Sequence, residues 1–281
     1  MAEGVAEDVI DGGHQPLALH WAARTDVGLV RSSNQDSVFA GDRLLAVADG
    51  MGGMAAGDVA SRLAIEAMGP LDEEFAGNDL LTALRTAVSD ANRRIRDEVE
   101  ADPDKLGMGT TLTAILFSGD RIGMVHVGDS RAYLLRGEEF AQITKDDTYV
   151  QLLVDEGRIT LEEASSHPQR SLVSRVLQGQ PTDPVYSVTA ARAGDRYLLC
   201  SDGLSSVLRA ETIEDALREY ADVDECVERL IDLALRAGGP DNITAVVADI
   251  VGDDAPAPKG LRNRLRSWLG RDEITGARLP A

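Results

Sequence analysis

The chain has 281 residues, 43% of them hydrophobic but only 4% aromatic, which predicts a globular protein with an aliphatic core rather than a disordered chain. The net charge of −20 argues against a nucleic-acid binder, and two cysteines do not make a disulfide framework. No stretch approaches the about 18 apolar residues of a membrane-spanning helix, and the N-terminus lacks the apolar core of a signal peptide. We therefore expect a cytoplasmic protein without a transmembrane segment.

Apolar periodicity begins after an acidic tail, residues 1–15. The first half of the chain is predicted to contain strands 17–23 and 43–48, helices 58–68 and 79–99, and strands 110–117, 121–127 and 131–135. The second half is predicted to contain helices 146–156 and 160–166, strands 186–190 and 196–200, helices 212–219 and 224–236, and strand 243–250. Because strands and helices come in runs, the pattern favours a layered α+β fold with antiparallel sheets.

The C-terminal part, residues 253–281, differs in composition from the rest of the chain. A Pro- and Asp-rich linker, residues 253–258, precedes a basic segment, residues 259–271. This segment places Trp268 and three leucines on one helical face and carries arginines elsewhere. We interpret it as a surface that docks a partner or an anionic membrane, whereas simple packing on the domain is the alternative.

Aspartates end several of the predicted strands and stand beside glycine or small polar residues. The five segments are Arg31-Ser-Ser-Asn-Gln-Asp36, Ala48-Asp49-Gly50-Met51-Gly52-Gly53, Gly128-Asp129-Ser130-Arg131, Cys200-Ser201-Asp202-Gly203 and Gly239-Pro240-Asp241-Asn242. One such aspartate is an ordinary turn residue. Several of them in one domain could converge on one edge of a packed pair of sheets.

Convergent carboxylates suit Mg²⁺ and Mn²⁺, which prefer oxygen ligands, while zinc is disfavoured because no His or Cys cluster is available. Two such ions about 3.5–4 Å apart can activate a shared hydroxide and hold a phosphoryl oxygen. An arginine nearby can bind phosphate oxygens bidentately, and Arg31 is the candidate.

Six segments in this order resemble the metal-dependent protein phosphatases, the PPM or type 2C family, and most closely its bacterial serine/threonine members. They are residues 31–36, 47–53, 107–111, 127–131, 199–204 and 239–242. The resemblance implies a four-layer αββα sandwich of two antiparallel sheets flanked by helices. It places the catalytic domain at residues 16–252, with a flap at about residues 145–180 that selects substrates.

The resemblance also implies the metal ligands. Asp49 is expected to bridge two Mn²⁺ or Mg²⁺ ions, and the Gly50 carbonyl to ligate one of them. Asp202 and Asp241 would complete the other ion's shell, and Asp36 would lie in the first or second shell.

Asp129 matches the position that, with Asp202, holds a third metal in bacterial members, and Arg31 matches the phosphate-binding arginine. The implied activity is hydrolysis of phosphoserine and phosphothreonine on proteins by a dimetal-activated hydroxide. Its partners would be phosphorylated proteins, namely serine/threonine kinases and their substrates.

Two residues depart from the family pattern. Gln35 stands where many members have glutamate and brings no negative charge, and Met51 stands where eukaryotic members often have a histidine general acid. Gln35 leaves open a regulatory module that binds phosphoproteins with little turnover. A phosphatase for one small dedicated partner is the other alternative.

Overall fold

A computed structural model describes residues 17–52, 56–74 and 79–252 of the chain. The predictions for the acidic tail and for the linker and basic segment, residues 1–15 and 253–281, lie outside the described residues. No helix within the described ranges is long and apolar enough to cross a membrane.

Eleven strands and eight α-helices occur in the described ranges. The strands are β1 Leu17–Asp26, β2 Asp36–Ala40, β3 Leu44–Met51, β4 Gly109–Thr110, β5 Leu112–Ser118, β6 Arg121–Val127, β7 Arg131–Arg136, β8 Glu139–Gln142, β9 Val185–Ala190, β10 Arg196–Cys200 and β11 Ile243–Gly252. The helices are α1 Gly57–Met68, α2 Pro70–Glu74, α3 Leu80–Ala101, α4 Tyr149–Asp155, α5 Leu161–Ser165, α6 Asp202–Ser205, α7 Ala210–Glu219 and α8 Val223–Arg236.

The strands form two antiparallel sheets. One has the order β1-β11-β10-β7-β8, and the other has the order β2-β3-β5-β6-β9, with β4 paired to β3. Between them lies an apolar layer that includes Leu45, Val47, Leu199 and Val246, all fully buried. Helices α1 and α3 cover the outer face of the second sheet, and α7 and α8 cover that of the first. The predicted αββα sandwich is confirmed.

Side-chain alternation along β3 positions the functional end of the molecule. Leu44 and Ala46 face helices α1 and α3, whereas Leu45 and Val47 face the other sheet. Because successive side chains of a strand point to opposite faces, Asp49 continues the inter-sheet row at the strand's end. A carboxylate thus lies at the rim of the aliphatic core.

The structure corrects several predicted boundaries. Helix α4 begins at Tyr149, and its N-cap is Thr148, whose hydroxyl accepts a hydrogen bond from Gln151 N–H. The helix thus begins three residues later than the predicted start at residue 146. Strand β2 was not predicted at all, because its five half-buried residues contain no long apolar run. Strands β5 and β6 form a hairpin whose turn contains Gly119 at φ +61°.

Candidate functional site

All five predicted aspartates lie at one rim of the sandwich, where loops and strand ends of both sheets meet. Asp36 begins β2, Asp49 lies near the end of β3, Asp129 lies between β6 and β7, Asp202 begins α6 directly after β10, and Asp241 precedes β11. Their carboxylates repel one another. The charges of other members of the group raise the pKa values of Asp36, Asp49, Asp129 and Asp202. The structure therefore brings together residues from positions 36 to 241.

Asp36 joins the two sheets through hydrogen bonds from two hydroxyl groups. Ser201 Oγ donates to Asp36 Oδ2 at 2.8 Å, and Thr244 Oγ1 donates to the same oxygen at 2.6 Å. The other oxygen, Oδ1, is buried and has no hydrogen-bond partner among the residues that the structure describes. Buried polar atoms are normally paired, so this oxygen points to a missing ligand.

The backbone around Asp49 is fixed by two threonines. Asp49 N–H donates to Thr111 Oγ1 at 2.9 Å, and the Asp49 carbonyl accepts from Thr110 Oγ1 and from Thr111 N–H, both at 2.9 Å. The next residue must be glycine, because a Cβ on Gly50 would lie 2.0 Å from the Gly57 carbonyl oxygen. Strand β3 and helix α1 therefore approach each other closely beside the carboxylate.

Burial among like charges raises the pKa of four of these carboxyls. Burial raises the pKa of Asp36 to about 6, opposed by hydrogen bonds from Thr244 and Ser201. Burial, with a smaller repulsion from Asp202, raises the pKa of Asp129 to about 7. The pKa of Asp49 is raised well above its usual range by burial and by the neighbouring carboxylates.

Asp202 follows the same pattern. Burial and the charge of Asp241 raise its pKa, while a hydrogen bond with the Asp49 carboxyl opposes the shift. Several carboxyls with raised pKa values, gathered in one place, are typical of a functional site. A cation between them would remove the conflict.

Arg31 is the cation that the structure places beside the cluster. Its Nη2 donates to Asp241 Oδ2 at 2.6 Å, and the pKa of the guanidinium is raised by this hydrogen bond. The Arg31 side chain is 54% exposed, so other donors of its fork remain open to a ligand. The β1–β2 loop that carries it is held against the loop before β11, since Leu29 N–H donates to the Gly239 carbonyl at 2.7 Å.

Asn242 is a buried positioning residue that the sequence did not single out. Its Oδ1 accepts from Gln35 N–H at 2.8 Å, and its Nδ2 donates to the carbonyls of Val27 and Ser33, both at 2.9 Å. One side chain thus fixes the loop before and after Arg31. Its position directly after Asp241 in the segment 239–242 was the sequence signal that could have identified it.

We expect Asn242→Ala to lower stability by about 2 kcal/mol, because three backbone groups lose their partner. Turnover per folded molecule should fall roughly tenfold as Arg31 loses its position. Thermal unfolding and phosphatase assays would measure both. Asp222→Ala, which removes the N-cap of α8, is the control: it should cost about 1 kcal/mol and leave turnover unchanged.

The donor set fits a pair of hard divalent cations. It offers several buried carboxyls, of which Asp36 has an oxygen without a partner. In the described part of the chain, however, no three acidic, imidazole or thiol groups already surround a common point as a finished ligand set. The Arg31–Asp241 pair explains part of this, because it occupies a carboxylate oxygen. Metal binding therefore requires side-chain adjustment within a cluster whose chemistry already suits it.

A groove of about 400 Å³ opens beside the cluster, between Met51 and residues 173–183. Its wall is the returning part of the predicted flap, which is anchored rather than free. Leu177 and Thr110 exchange two backbone hydrogen bonds of 2.9 Å, and Asn92 Oδ1 accepts from Gly179 N–H at 2.8 Å. Thr110 also donates a hydrogen bond to the Asp49 carbonyl, so the groove wall is connected to the strand that carries Asp49.

Comparison with known proteins agrees with this geometry. Serine/threonine protein phosphatase PstP of Mycobacterium tuberculosis is 62% identical over 238 residues, covering 85% of this chain and 46% of that protein. The chain thus spans about half the length of that relative. The crystal structure of M. tuberculosis PstP/Ppp has a TM-score of 0.82 at 62% identity, covering 83% of this chain and 99% of that chain.

A structure of the PstP catalytic domain in complex with two manganese ions has a TM-score of 0.80 at 60% identity, covering 84% of this chain and 99% of that one. The sequence profile of the protein phosphatase 2C family matches residues 30–248. Those residues make up most of the chain and contain all of the acidic cluster. The predicted resemblance is confirmed, and the chain belongs to the protein phosphatase 2C family.

Proposed function

We propose that this protein hydrolyses phosphoserine and phosphothreonine monoesters on other proteins with the help of two Mn²⁺ or Mg²⁺ ions. The observation that carries the proposal is the convergence of five strand-end aspartates, four of them with raised pKa values, beside an exposed arginine. Such ions, when bound, supply Lewis acidity and an activated water at neutral pH.

The residues that would hold the ions are Asp49, the Gly50 carbonyl, Asp202 and Asp241, with Asp36 as a further ligand or an orienting group. Asp36 can orient its neighbours because Ser201 and Thr244 fix its other oxygen. Asp129 would contribute to a third ion together with Asp202.

Arg31 is assigned to the phosphoryl group. A guanidinium presents planar, paired donors that match phosphate oxygens, and it stays charged at every working pH. Met51 lines the groove and has no proton to donate, so it does not serve as a general acid for the departing alcohol. Substrate binding would release Asp241 from Arg31.

The substrates are phosphorylated proteins, including serine/threonine kinases and their targets. The groove beside the acidic cluster favours a peptide substrate over a small ester alone. The residues on either side of the phosphorylated residue can bind in it. The cytoplasmic location and the docking role of residues 259–271 stay predictions from the sequence.

The first test is hydrolysis of p-nitrophenyl phosphate by the full chain after metal removal, with Mn²⁺, Mg²⁺ or EDTA. We expect turnover with Mn²⁺ or Mg²⁺ and none with EDTA. Absence of turnover by the folded protein under every metal would contradict the enzyme and favour the phosphoprotein-binding module that Gln35 left open. Binding of a phosphoprotein without turnover would then be the deciding measurement.

Arg31→Ala should lower kcat/KM for p-nitrophenyl phosphate roughly 10²-fold, because a charge-assisted contact to the transferred phosphoryl group is lost. Arg31→Lys keeps the charge but not the planar fork, and should recover only part of the loss. Calorimetry should find Mn²⁺ affinity unchanged or increased in Arg31→Ala, since Asp241 is no longer paired. A marked loss of Mn²⁺ binding would contradict the assignment to phosphate.

Val176→Asp tests the groove, whose wall Val176 helps to form. We expect kcat/KM for a phosphopeptide to fall about tenfold, because a charge is desolvated against the bound segment, while p-nitrophenyl phosphate turnover is unchanged. Val188→Asp introduces the same charge at a 41% exposed position of β9, outside the groove. Equal effects of the two variants on the phosphopeptide would rule the groove out.

A further inference from the structure

A chain of buried hydrogen bonds begins at the flap root, residues 145–147, and runs toward the acidic cluster through side chains that have no role in the proposed chemistry. His126 Nε2 lies 2.9 Å from the Lys145 carbonyl oxygen, and His126 Nδ1 lies 2.9 Å from Thr113 Oγ1. Thr113 Oγ1 also lies 3.0 Å from the Ser130 carbonyl oxygen. His126 is 1% exposed, and Thr113 is fully buried.

The chain continues to the backbone of Asp49. Ser130 Oγ lies 2.8 Å from Thr111 Oγ1, and Thr111 Oγ1 accepts from Asp49 N–H at 2.9 Å. Ser130 follows Asp129 directly and belongs to the Asp129 loop, residues 128–130. An unbroken series of polar contacts therefore connects the flap root, the Asp129 loop and Asp49.

A second pair of contacts joins the same two segments. Asp147 N–H donates to the Gly128 carbonyl at 2.7 Å, and Gly128 N–H donates to Asp147 Oδ2 at 3.1 Å. Gly128 also packs closely against Thr111, because a Cβ on this glycine would lie 2.5 Å from the Thr111 side chain. The flap root and the Asp129 loop are thus held together at both ends.

The direction of the hydrogen bonds follows from what each atom can do. A carbonyl oxygen only accepts, so His126 Nε2 carries the hydrogen that faces Lys145. Burial lowers the pKa of His126, against the opposing effects of the Lys145 carbonyl and of the Asp147 and Asp146 carboxylates, while Arg175 adds to the lowering. The imidazole is therefore neutral near pH 7, and its Nδ1 accepts a hydrogen bond.

Thr113 has one hydroxyl hydrogen and faces two acceptors, His126 Nδ1 and the Ser130 carbonyl. With a neutral imidazole, that hydrogen is shared between Nδ1 and the Ser130 carbonyl, which lie 2.9 and 3.0 Å from the hydroxyl oxygen. Replacing this histidine would free the hydroxyl to turn toward Ser130, next to Asp129. The side chain at position 126 therefore affects the hydrogen bonding of the Asp129 loop through Thr113.

We propose that His126 is a positioning residue that couples the flap root to the Asp129 loop. A buried polar network favours one arrangement of its members, because a displacement leaves a buried group without a partner. A displacement of the flap root would thus carry the Asp129 loop with it. The kinetic consequence rests on the proposed function, whereas the structural coupling does not.

The test uses the full chain with His126→Gln, His126→Leu, Thr113→Val and the double variant His126→Leu/Thr113→Val. Hydrogen exchange of the flap root and the Asp129 loop is measured without metal and with Mn²⁺. His126→Leu should speed exchange in both segments. His126→Gln keeps a donor for the Lys145 carbonyl and should restore protection of the flap root. Thr113→Val should affect mainly the Asp129 loop.

The decisive result is non-additivity. If Thr113 carries the coupling, the double variant should exchange in the Asp129 loop no faster than the more affected single variant. Independent, multiplying effects would overturn the proposal, as would an unchanged flap root in His126→Leu. Should His126→Leu fail to fold, the double variant is built with His126→Gln, and the same comparison decides.

Kinetics give a readout that general destabilisation would not produce. We expect kcat for p-nitrophenyl phosphate to fall about tenfold in Thr113→Val and in His126→Leu, with KM changed less than about twofold, as for a small displacement of a catalytic group. A wild-type protein without any turnover would refute the proposed function, yet hydrogen exchange would still decide the coupling.

Discussion

Asp49→Asn is expected to abolish metal-dependent hydrolysis of p-nitrophenyl phosphate and, at the same time, to raise the melting temperature of the metal-free protein. The two effects have one cause. Burial, and then the charges of the neighbouring carboxylates, raise the pKa of Asp49 well above the ordinary range, so its anion is unfavourable unless a cation is bound. Asparagine keeps the shape but removes the charge that binding requires.

The expected loss in kcat is at least roughly 10³-fold, which corresponds to about 4 kcal/mol of transition-state stabilisation. Calorimetry should find that high-affinity Mn²⁺ binding is lost as well. The gain in melting temperature should be about 2–4 °C for each kcal/mol of repulsion removed in a domain of this size.

Asp249→Asn is the matched control, because it makes the same chemical change in an acid with a different environment. Asp249 accepts from the buried Arg196 at 2.6 and 2.7 Å, away from the acidic rim. Its neutralisation leaves a buried cation without its partner and should lower the melting temperature, while turnover per folded molecule is retained. Similar kinetics in the two variants would contradict a role for Asp49 in the metal centre.

The acidic cluster was predictable because local sequence signals place each aspartate. An apolar run predicts a buried strand, and a following aspartate with glycine predicts its end, as at Leu44–Met51 and Arg196–Cys200. Antiparallel pairing then brings the end of β10 beside the start of β11. The order of these segments identified the family, and the structure places all five aspartates together.

The partners that fix those aspartates were not predictable in the same way. Asp36 is held by Ser201 and Thr244, which lie 165 and 208 residues away in the sequence. Hydroxyl side chains at strand ends are common and have no periodicity of their own. Which of them faces a given carboxylate depends on sheet order and register, and these are determined by the packing of the whole domain.

Strand β2 and the buried hydrogen bonds of His126 show the same limit. Asp36–Ala40 is short and half-buried, so its pairing with β3 supplies the signal that its composition lacks. His126 is 1% exposed and lies on the same face of β6 as Ile122 and Met124. Its contacts with Lys145 and Thr113 depend on two further elements and could not be read from β6 alone.

The metal-free protein is expected to be more stable near pH 5 than near pH 8. The pKa values of Asp36 and Asp129 in the folded chain are about 6 and about 7, above the ordinary value of 3.8 that applies when the chain is unfolded. Between about pH 4 and pH 7 the folded chain therefore binds more protons than the unfolded chain. By linkage, the free energy of unfolding then falls as the pH rises through this window.

The cost at pH 8 is on the order of 3 kcal/mol for each of these two carboxyls, and Mn²⁺ should remove it by taking the place of the protons. Thermal unfolding from pH 5 to pH 8, with and without Mn²⁺, measures both effects. Asp36→Asn/Asp129→Asn should weaken the pH dependence of the metal-free protein, because two of the four carboxyls with raised pKa values are gone. A metal-free protein that became more stable between pH 5 and pH 8 would contradict the raised pKa values of Asp36 and Asp129. The decrease expected here means that the acidic rim is maintained at the expense of stability, as an ion-binding function requires.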